Sequence, residues 1–438
     1  MFDLAPQETS HLIGWKDVID AVIGGIIWEA LLKEWVIRLR NKCLDAFYRL
    51  RRRLSPEARN LPELLAALNR VQPPDKQTNM VMKIARVNDA LAVDGYFDIL
   101  HSYRFKGWKQ ENIAIVWHDA IALPDDLQRI ADGHRPAPPN NGKYRLCGLE
   151  PDSSEDLIMR ATLAPTDYFS TRPIQESGRL FVPLVLCSGG HPCSPMQKYG
   201  AELLDFAKCQ LPNIVCVHVV VILDSGNLLV TQRVSKKGMG GVDTQHGTWS
   251  FSFEEQMSST ARVRAPDKTF FDAVRGGFKE ELYDPDRTEG EQQKHRKKRG
   301  KTYECKDDDI VILSIGMDTE SLNIDPIGLL RVPLTVDEVR AHCKWKSKDG
   351  RRELAVVEEV DWTVEALAPV LCGRAIEIAG TKVGPDEWHH TARMRALQSL
   401  FHKDGIEETL EALNRWARKN PPNQSELPLI GSGHYQEL

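Results

Sequence analysis

Two pairs of adjacent glutamates, Glu254-Glu255 and Glu280-Glu281, bracket one stretch of this chain, residues 247–284. Carboxylates are hard oxygen donors. Several of them on neighbouring elements are what a magnesium or manganese ion bridging phosphates requires. Arg233 lies upstream, and residues 294–301, which include Lys297, Lys298 and Arg299, are the most concentrated positive charge nearby. Lysine and arginine are natural partners of phosphate oxygens. That basic run has no Phe, Tyr or Trp to stack on bases, which weighs against binding single-stranded nucleic acid. Its plainer reading is a solvated insertion. The soft ligands cluster only around Cys187, His191 and Cys193, where no fourth ligand is evident, so a glycine-rich turn with incidental thiols is the simpler reading.

The elements that would carry the glutamates follow from periodicity. Trp249, Phe251 and Phe253 alternate with polar residues, the pattern of a half-buried strand that runs into Glu254-Glu255. Phe270, Phe271, Val274, Phe278 and Leu282 recur at helical spacing and predict a helix with one apolar face. Glu280 and Glu281 sit near its end, about 100° apart on a regular helix, so they share a site only over the helix edge. Residues 217–233 read as strand, turn and strand ending on Arg233. Further strands are expected at 113–117, 144–147, 157–161, 310–316 and 354–360, with a short helix at 202–207 and a terminal amphipathic helix at 406–419.

These residues resemble the signature of the Nudix hydrolase superfamily, G-x5-E-x7-R-E-U-x-E-E-x-G-U with U aliphatic. The likeness covers roughly residues 213–405 and includes Trp388-His389-His390 leading into a closing helix. It implies a Nudix-like α/β/α sandwich with a mixed sheet. It also implies magnesium- or manganese-dependent hydrolysis of a nucleoside diphosphate derivative. By the same resemblance Glu255, Glu280 and Glu281 would be metal ligands and Glu254 and Glu281 catalytic groups. Arg233, Lys297, Lys298 and Arg299 would contact the substrate. Aligned on Glu280-Glu281, the chain has Gly276 where the signature has arginine and Gly277 where it has its first helical glutamate, with Arg275 displaced by one position. Two other classes stay open: a nucleotide-binding sensor that has lost hydrolysis, and an isomerase of an isoprenoid diphosphate, which would need a cysteine facing a glutamate.

Composition frames the rest. The chain has 438 residues, 42% hydrophobic and 27% charged, with a formal net charge of −5, as in an ordinary soluble globular protein. Nothing in the global charge points to nucleic acid or membrane. Nine cysteines without a C-x-x-C spacing read as reduced thiols in a cytoplasmic protein. Residues 15–53 lack proline and read as long helix, with apolar residues covering most of the circumference between Val18 and Leu32. Asp20 and Glu29 interrupt that run, which disfavours a membrane span and leaves a self-association helix as the leading expectation. The expected organisation is therefore a helical arm at 1–72 that assembles a homo-oligomer, a small β-rich domain at 79–200, a Nudix-like domain at 213–420 and a tail at 421–438.

Overall fold

The computed structural model describes residues 96–101, 107–133, 142–151, 159–175, 180, 182–203, 205–234, 247–260, 265–283, 303–318, 321–345, 354–389 and 391–420. All of them belong to one compact unit, Pro56–Ser235 with Gln245–Leu438. The expected helical arm, the basic run with Lys297, Lys298 and Arg299, and the tail lie outside the described residues.

The first described strand, β1 (Tyr96–His101), belongs to the large sheet and not to the small one that follows it. The small sheet holds β2 (Ile113–Trp117), then helix α1 (Asp125–Asp132), β3 (Gly142–Pro151) and β4 (Met159–Asp167), in the order β2-β4-β3. Helix α2 (Tyr168–Gln175) follows, then a hairpin of β5 (Val185–Leu186) and β6 (Pro192–Cys193) and the short helix α3 (Pro195–Tyr199). Where a helix was expected at 202–207 the described residues make only a 3-10 turn, Gly200–Glu202, followed by hydrogen-bonded turns. Cys187 and Cys193 are joined as a disulfide across the hairpin, which corrects their reading as reduced thiols.

The large sheet is mixed. Its strands are β7 (Cys216–Ile222), β8 (Leu228–Arg233), β9 (Trp249–Phe251), β10 (Phe253–Gln256), β11 (Ile310–Asp318), β12 (Ile324–Arg331) and β13 (Leu354–Val360), along with β1. The order runs β1-β11-β12-β7-β8-β13, and β7 is parallel to β12. β7 is buried at every position, so its side chains feed two cores, as the strand period of two requires. Val217, Val219 and Val221 join Phe270, Phe271 and Val274 of helix α4 (Phe270–Gly277). Val220 and Ile222 join the opposite cluster, built by helices α6 (Val364–Leu371), α7 (Ala392–Asp404) and α8 (Ile406–Lys419). Helix α5 (Val336–Trp345) contributes Val339 and Cys343 to the first cluster. Leu127, Leu146, Ala161 and Leu163 of the small sheet and α1 lie in that same first cluster. The architecture is mixed α/β, with helices on both faces of the large sheet.

One feature of the sheet sets up the site. β7 and β8 meet at Ile222↔Leu228 and then diverge, and the segment 249–256 fills the wedge, β9 pairing with β8 and β10 with β7. The alternation of Trp249, Phe251 and Phe253 predicts one continuous strand. Ser252 interrupts it with φ of 69° and hands the chain from one partner to the other. Its hydroxyl accepts from the Val221 N–H at 2.8 Å and donates to the Leu229 carbonyl at 3.0 Å. Backbone groups orphaned by the divergence are satisfied there, away from water.

Candidate functional site: a carboxylate seam and a buried charge cluster

Helix α4 is capped by Thr269, whose hydroxyl accepts from the Asp272 N–H, while the Asp272 carboxylate accepts from the Thr269 N–H. Its last residue, Gly277, lies hard against β10. A Cβ there would stand 2.7 Å from Phe253 Cε2 and 2.9 Å from Glu255 Cβ, closer than side chains tolerate. Only glycine lets the helix approach the strand this closely. Residues Phe278–Leu282 then continue as a π turn, closed by the Tyr283 N–H donating to the Phe278 carbonyl at 2.8 Å.

The π turn bears on the displaced arginine. The signature separates its arginine from the following glutamate pair by four positions, whereas Arg275 and Glu280 are five apart. An i→i+5 turn takes up one residue more than an α turn. Arg275 itself pairs with Asp272 and Asp307. Glu281 is buried and, four residues on from Gly277, comes round to the glycine's side of the helix; Glu280 is half-buried. The Cys343 thiol of α5 donates to the carbonyls of Glu281 and Leu282 at 3.5 Å each, tying the turn to the next helix. Burial pushes that thiol up to about 12, with the Glu281 charge adding to the shift.

Glu254 has a different environment from its neighbour. Register places it opposite His218 of β7. Its Oε2 lies 2.8 Å from Arg395 Nη2, 3.5 Å from His218 Nδ1 and 4.0 Å from His389 Nε2, and its Oε1 lies 3.2 Å from Arg233 Nη2. Burial pushes its carboxyl up, but Arg233, His389, His218 and Arg395 together hold it well below the usual carboxylate range. Arg395 is fully buried on α7 and also donates to Ser250 Oγ at 2.8 Å and to the Thr391 hydroxyl at 3.1 Å. Burial pulls its guanidinium down while Glu254 holds it up. On the far side, His218 Nε2 lies 3.1 Å from Asp325 Oδ1 on β12. Arg233, expected to face a substrate phosphate, is thus paired with Glu254. None of His218, Asp325, His389 or Arg395 stands out in the sequence as a charged site. Their signal is a polar residue inside an otherwise apolar strand or helix face.

The metal question divides along the same line. Among the described residues, the donors that lie within 4.8 Å of one another as a group of three are Cys216, His218 and Asp325. Glu254, Glu255, Glu280 and Glu281 form no such group. The Cys-His-Asp cluster is a poor cation site on chemical grounds. Arg395 lies against His218 Nδ1 and Asp325 against its Nε2, so both ring nitrogens already face a partner that a metal would have to displace. Burial, with Glu254 and Asp325 beside it, pushes the Cys216 thiol well above its ordinary value. Two arginines already balance the two carboxylates.

No known protein family matches the chain, and no curated protein does. Among solved structures it is similar to DR0079 from Deinococcus radiodurans, with 14% identity over 37% of this chain and 76% of that one and a TM-score of 0.23. A likeness that distant assigns neither fold nor function. Among the described residues no helix is long and apolar enough to cross a membrane.

Proposed function

We propose that the chain is a Nudix-like, metal-dependent hydrolase of a nucleoside diphosphate derivative. The observation that carries this reading is the contact of Gly277 with Glu255. It sets the strand bearing Glu255 directly against the helix whose next turn bears Glu280 and Glu281. The donor chemistry fits magnesium or manganese, since all three side chains offer hard oxygens. When bound, such an ion would polarise the phosphate oxygens and lower the pKa of an attacking water. Glu255, Glu280 and Glu281 would hold the ion. Glu254 would keep Arg233 and Arg395 fixed on the opposite face of β10, holding that strand in place, and Lys297, Lys298 and Arg299 would meet the distal phosphates. Assembly into a homo-oligomer through residues 1–72 belongs to the same proposal.

The test is a panel of nucleotides, nucleotide sugars and related diphosphates incubated with magnesium or manganese while released monophosphate is measured. Activity that depends on the metal and disappears in Glu281→Gln, with the melting temperature held within a few degrees, supports the reading. A panel with no turnover at any metal concentration rejects hydrolysis.

The second reading, a nucleotide sensor without hydrolysis, is favoured by one specific fact. Glu254, the carboxylate available to replace a missing helical glutamate, is neutralised by Arg233 and Arg395. Stoichiometric nucleotide binding without product release would select it. The isomerase gains no support, because the buried Cys343 thiol near Glu281 is held protonated and donates to helix carbonyls.

A further inference from the structure

Far from the carboxylate seam in sequence, the small sheet's side of the molecule carries a cavity of about 590 Å³ between α1, the β5 hairpin and α3. That volume falls within the range of small-ligand pockets, roughly 300–1,000 Å³. It shares no lining residue with the glutamates described above. One wall is apolar and unusually open: Leu184 and Leu186 are 46% and 56% exposed, although both are large hydrophobics, while Val185 between them is buried. All three line the cavity, and the alternation of exposed and buried side chains is that of an extended segment. Among the described residues β5 pairs only with β6, so its second edge has no strand partner.

The floor is polar and already satisfied. Asp126 accepts from Lys198 Nζ at 2.8 Å, from the Tyr199 hydroxyl at 2.7 Å and from the Leu127 N–H at 2.9 Å. Two charged side chains of the lining remain, Asp125 and Arg129, both exposed on α1. The Arg129 Nε donates to the Asp125 backbone carbonyl at 3.3 Å, and no ion pair joins either side chain to another described residue. The lining is electrically balanced, with Asp125 and Asp126 against Arg129 and Lys198. It therefore offers a net anion or a net cation no overall attraction, whereas a ligand carrying both charges meets one partner at each end.

Spacing selects the size of that ligand. Residues i and i+4 of a helix are about 6 Å apart along the axis. A chain of two amino acids, at roughly 3.3–3.6 Å per residue, separates its ammonium and carboxylate by about that distance, and a single amino acid falls well short. We infer that this cavity is a binding site for a short zwitterionic peptide, of dipeptide length, with apolar side chains. Its ammonium sits at Asp125, its carboxylate at Arg129, and its side chains lie on Leu184 and Leu186. Its peptide group runs beside the open edge of β5, in the manner of a strand added to a sheet.

The experiment is calorimetric titration of the full chain with the dipeptide Leu-Phe, its N-acetyl form, its C-terminal amide and decanoate, in the wild type and in Asp125→Asn, Arg129→Gln and Leu186→Ser. All three substituted positions are exposed, and unchanged thermal unfolding verifies that the variants fold. The free dipeptide binds; each blocked form and each charge variant binds about two- to fivefold more weakly, as loss of one solvent-exposed ion pair predicts. Decanoate binds more weakly still. No heat from the dipeptide overturns the site. Equal binding of blocked and free forms, equal binding of decanoate, or charge variants that bind like the wild type overturn the zwitterion assignment.

Discussion

Glu254 and Glu255 are neighbours in sequence and strangers in the structure. Glu254 turns to the face of the sheet covered by α7 and is locked among two arginines and two histidines. Glu255 turns to the face covered by α4, its Cβ against Gly277. The strand period of two separates them, whatever their chemical likeness. A pair of carboxylates in a sequence suggests one site with two ligands. On a strand it supplies one residue to each of two regions: a buried, charge-balanced cluster that holds the sheet to its helices, and a seam against α4 whose next turn carries two more carboxylates.

The comparison breaks most severely at Arg395. Replacing it with methionine leaves Glu254 and Asp325 facing each other's neighbourhood without their buried cation. The cost expected for breaking such a network is about 3–5 kcal/mol, read from urea unfolding. A loss below about 1 kcal/mol would mean that the cluster contributes little and that Glu254 is free for other work.

The seam is tested next by Gly277→Ala. The added methyl meets Phe253 and Glu255 at distances that force one of them to move. Overpacking of this kind costs about 1–3 kcal/mol. If metal-dependent activity exists, it should fall further than stability does, because both crowded residues lie on the strand that carries the proposed ligand Glu255. A variant as stable and as active as the parent would remove the close approach from the argument.

Much of this was legible in the chain, and the exceptions share a cause. The strands at 113–117, 144–147, 310–316 and 354–360, the helix at 270 and the terminal helix appear where periodicity places them, β11 extending to Asp318. Local patterns report faces of elements, and these elements bury one face. What periodicity does not report is where an element changes partner or pitch. Ser252 looks like any polar residue in an alternating strand, yet its positive φ splits the strand between two neighbours. The π turn leaves no periodic trace beyond the one-residue offset of Arg275. The charge cluster draws His218 from β7, Asp325 from β12, Glu254 from β10 and Arg395 from α7. Only three-dimensional register assembles them. The disulfide between Cys187 and Cys193 was hidden for a different reason: two thiols six apart become partners only when a hairpin folds between them.

Acid response sharpens the contrast between the two glutamates. Glu254's folded pKa is held well below its ordinary value, and an unfolded glutamate titrates near 4.3. The unfolded chain therefore binds that proton first as pH falls. The stability Glu254 contributes is full above about pH 5 and is lost progressively as pH drops below the unfolded value toward the folded one. In Glu254→Gln this part of the acid dependence should flatten, and the variant should start from a lower plateau at neutral pH because Arg395 and Arg233 lose their counter-charge. Parallel stability–pH curves for variant and parent between pH 5 and 3 would show that the carboxylate is not held ionised.

The smallest expected effect falls on the neighbouring position. Glu255 is half-buried on β10. Glu255→Gln keeps the side chain's length and its packing against Gly277 while removing one negative charge. A substitution that keeps the side chain's shape and creates no cavity usually costs little, within about 0.5 kcal/mol. Urea unfolding of Glu255→Gln should therefore overlay the parent, whereas Glu254→Gln, one residue away, should not. The two variants should part in the opposite sense when magnesium or manganese is titrated calorimetrically into the chain with a bound nucleotide. Removing the Glu255 charge should weaken metal affinity several-fold, and removing the Glu254 charge should leave the metal isotherm closer to the parent's than Glu255→Gln does. If both variants lose stability alike, the two faces of β10 are not energetically separate. If neither changes the metal isotherm, Glu255 is a surface carboxylate and the seam is not a metal site.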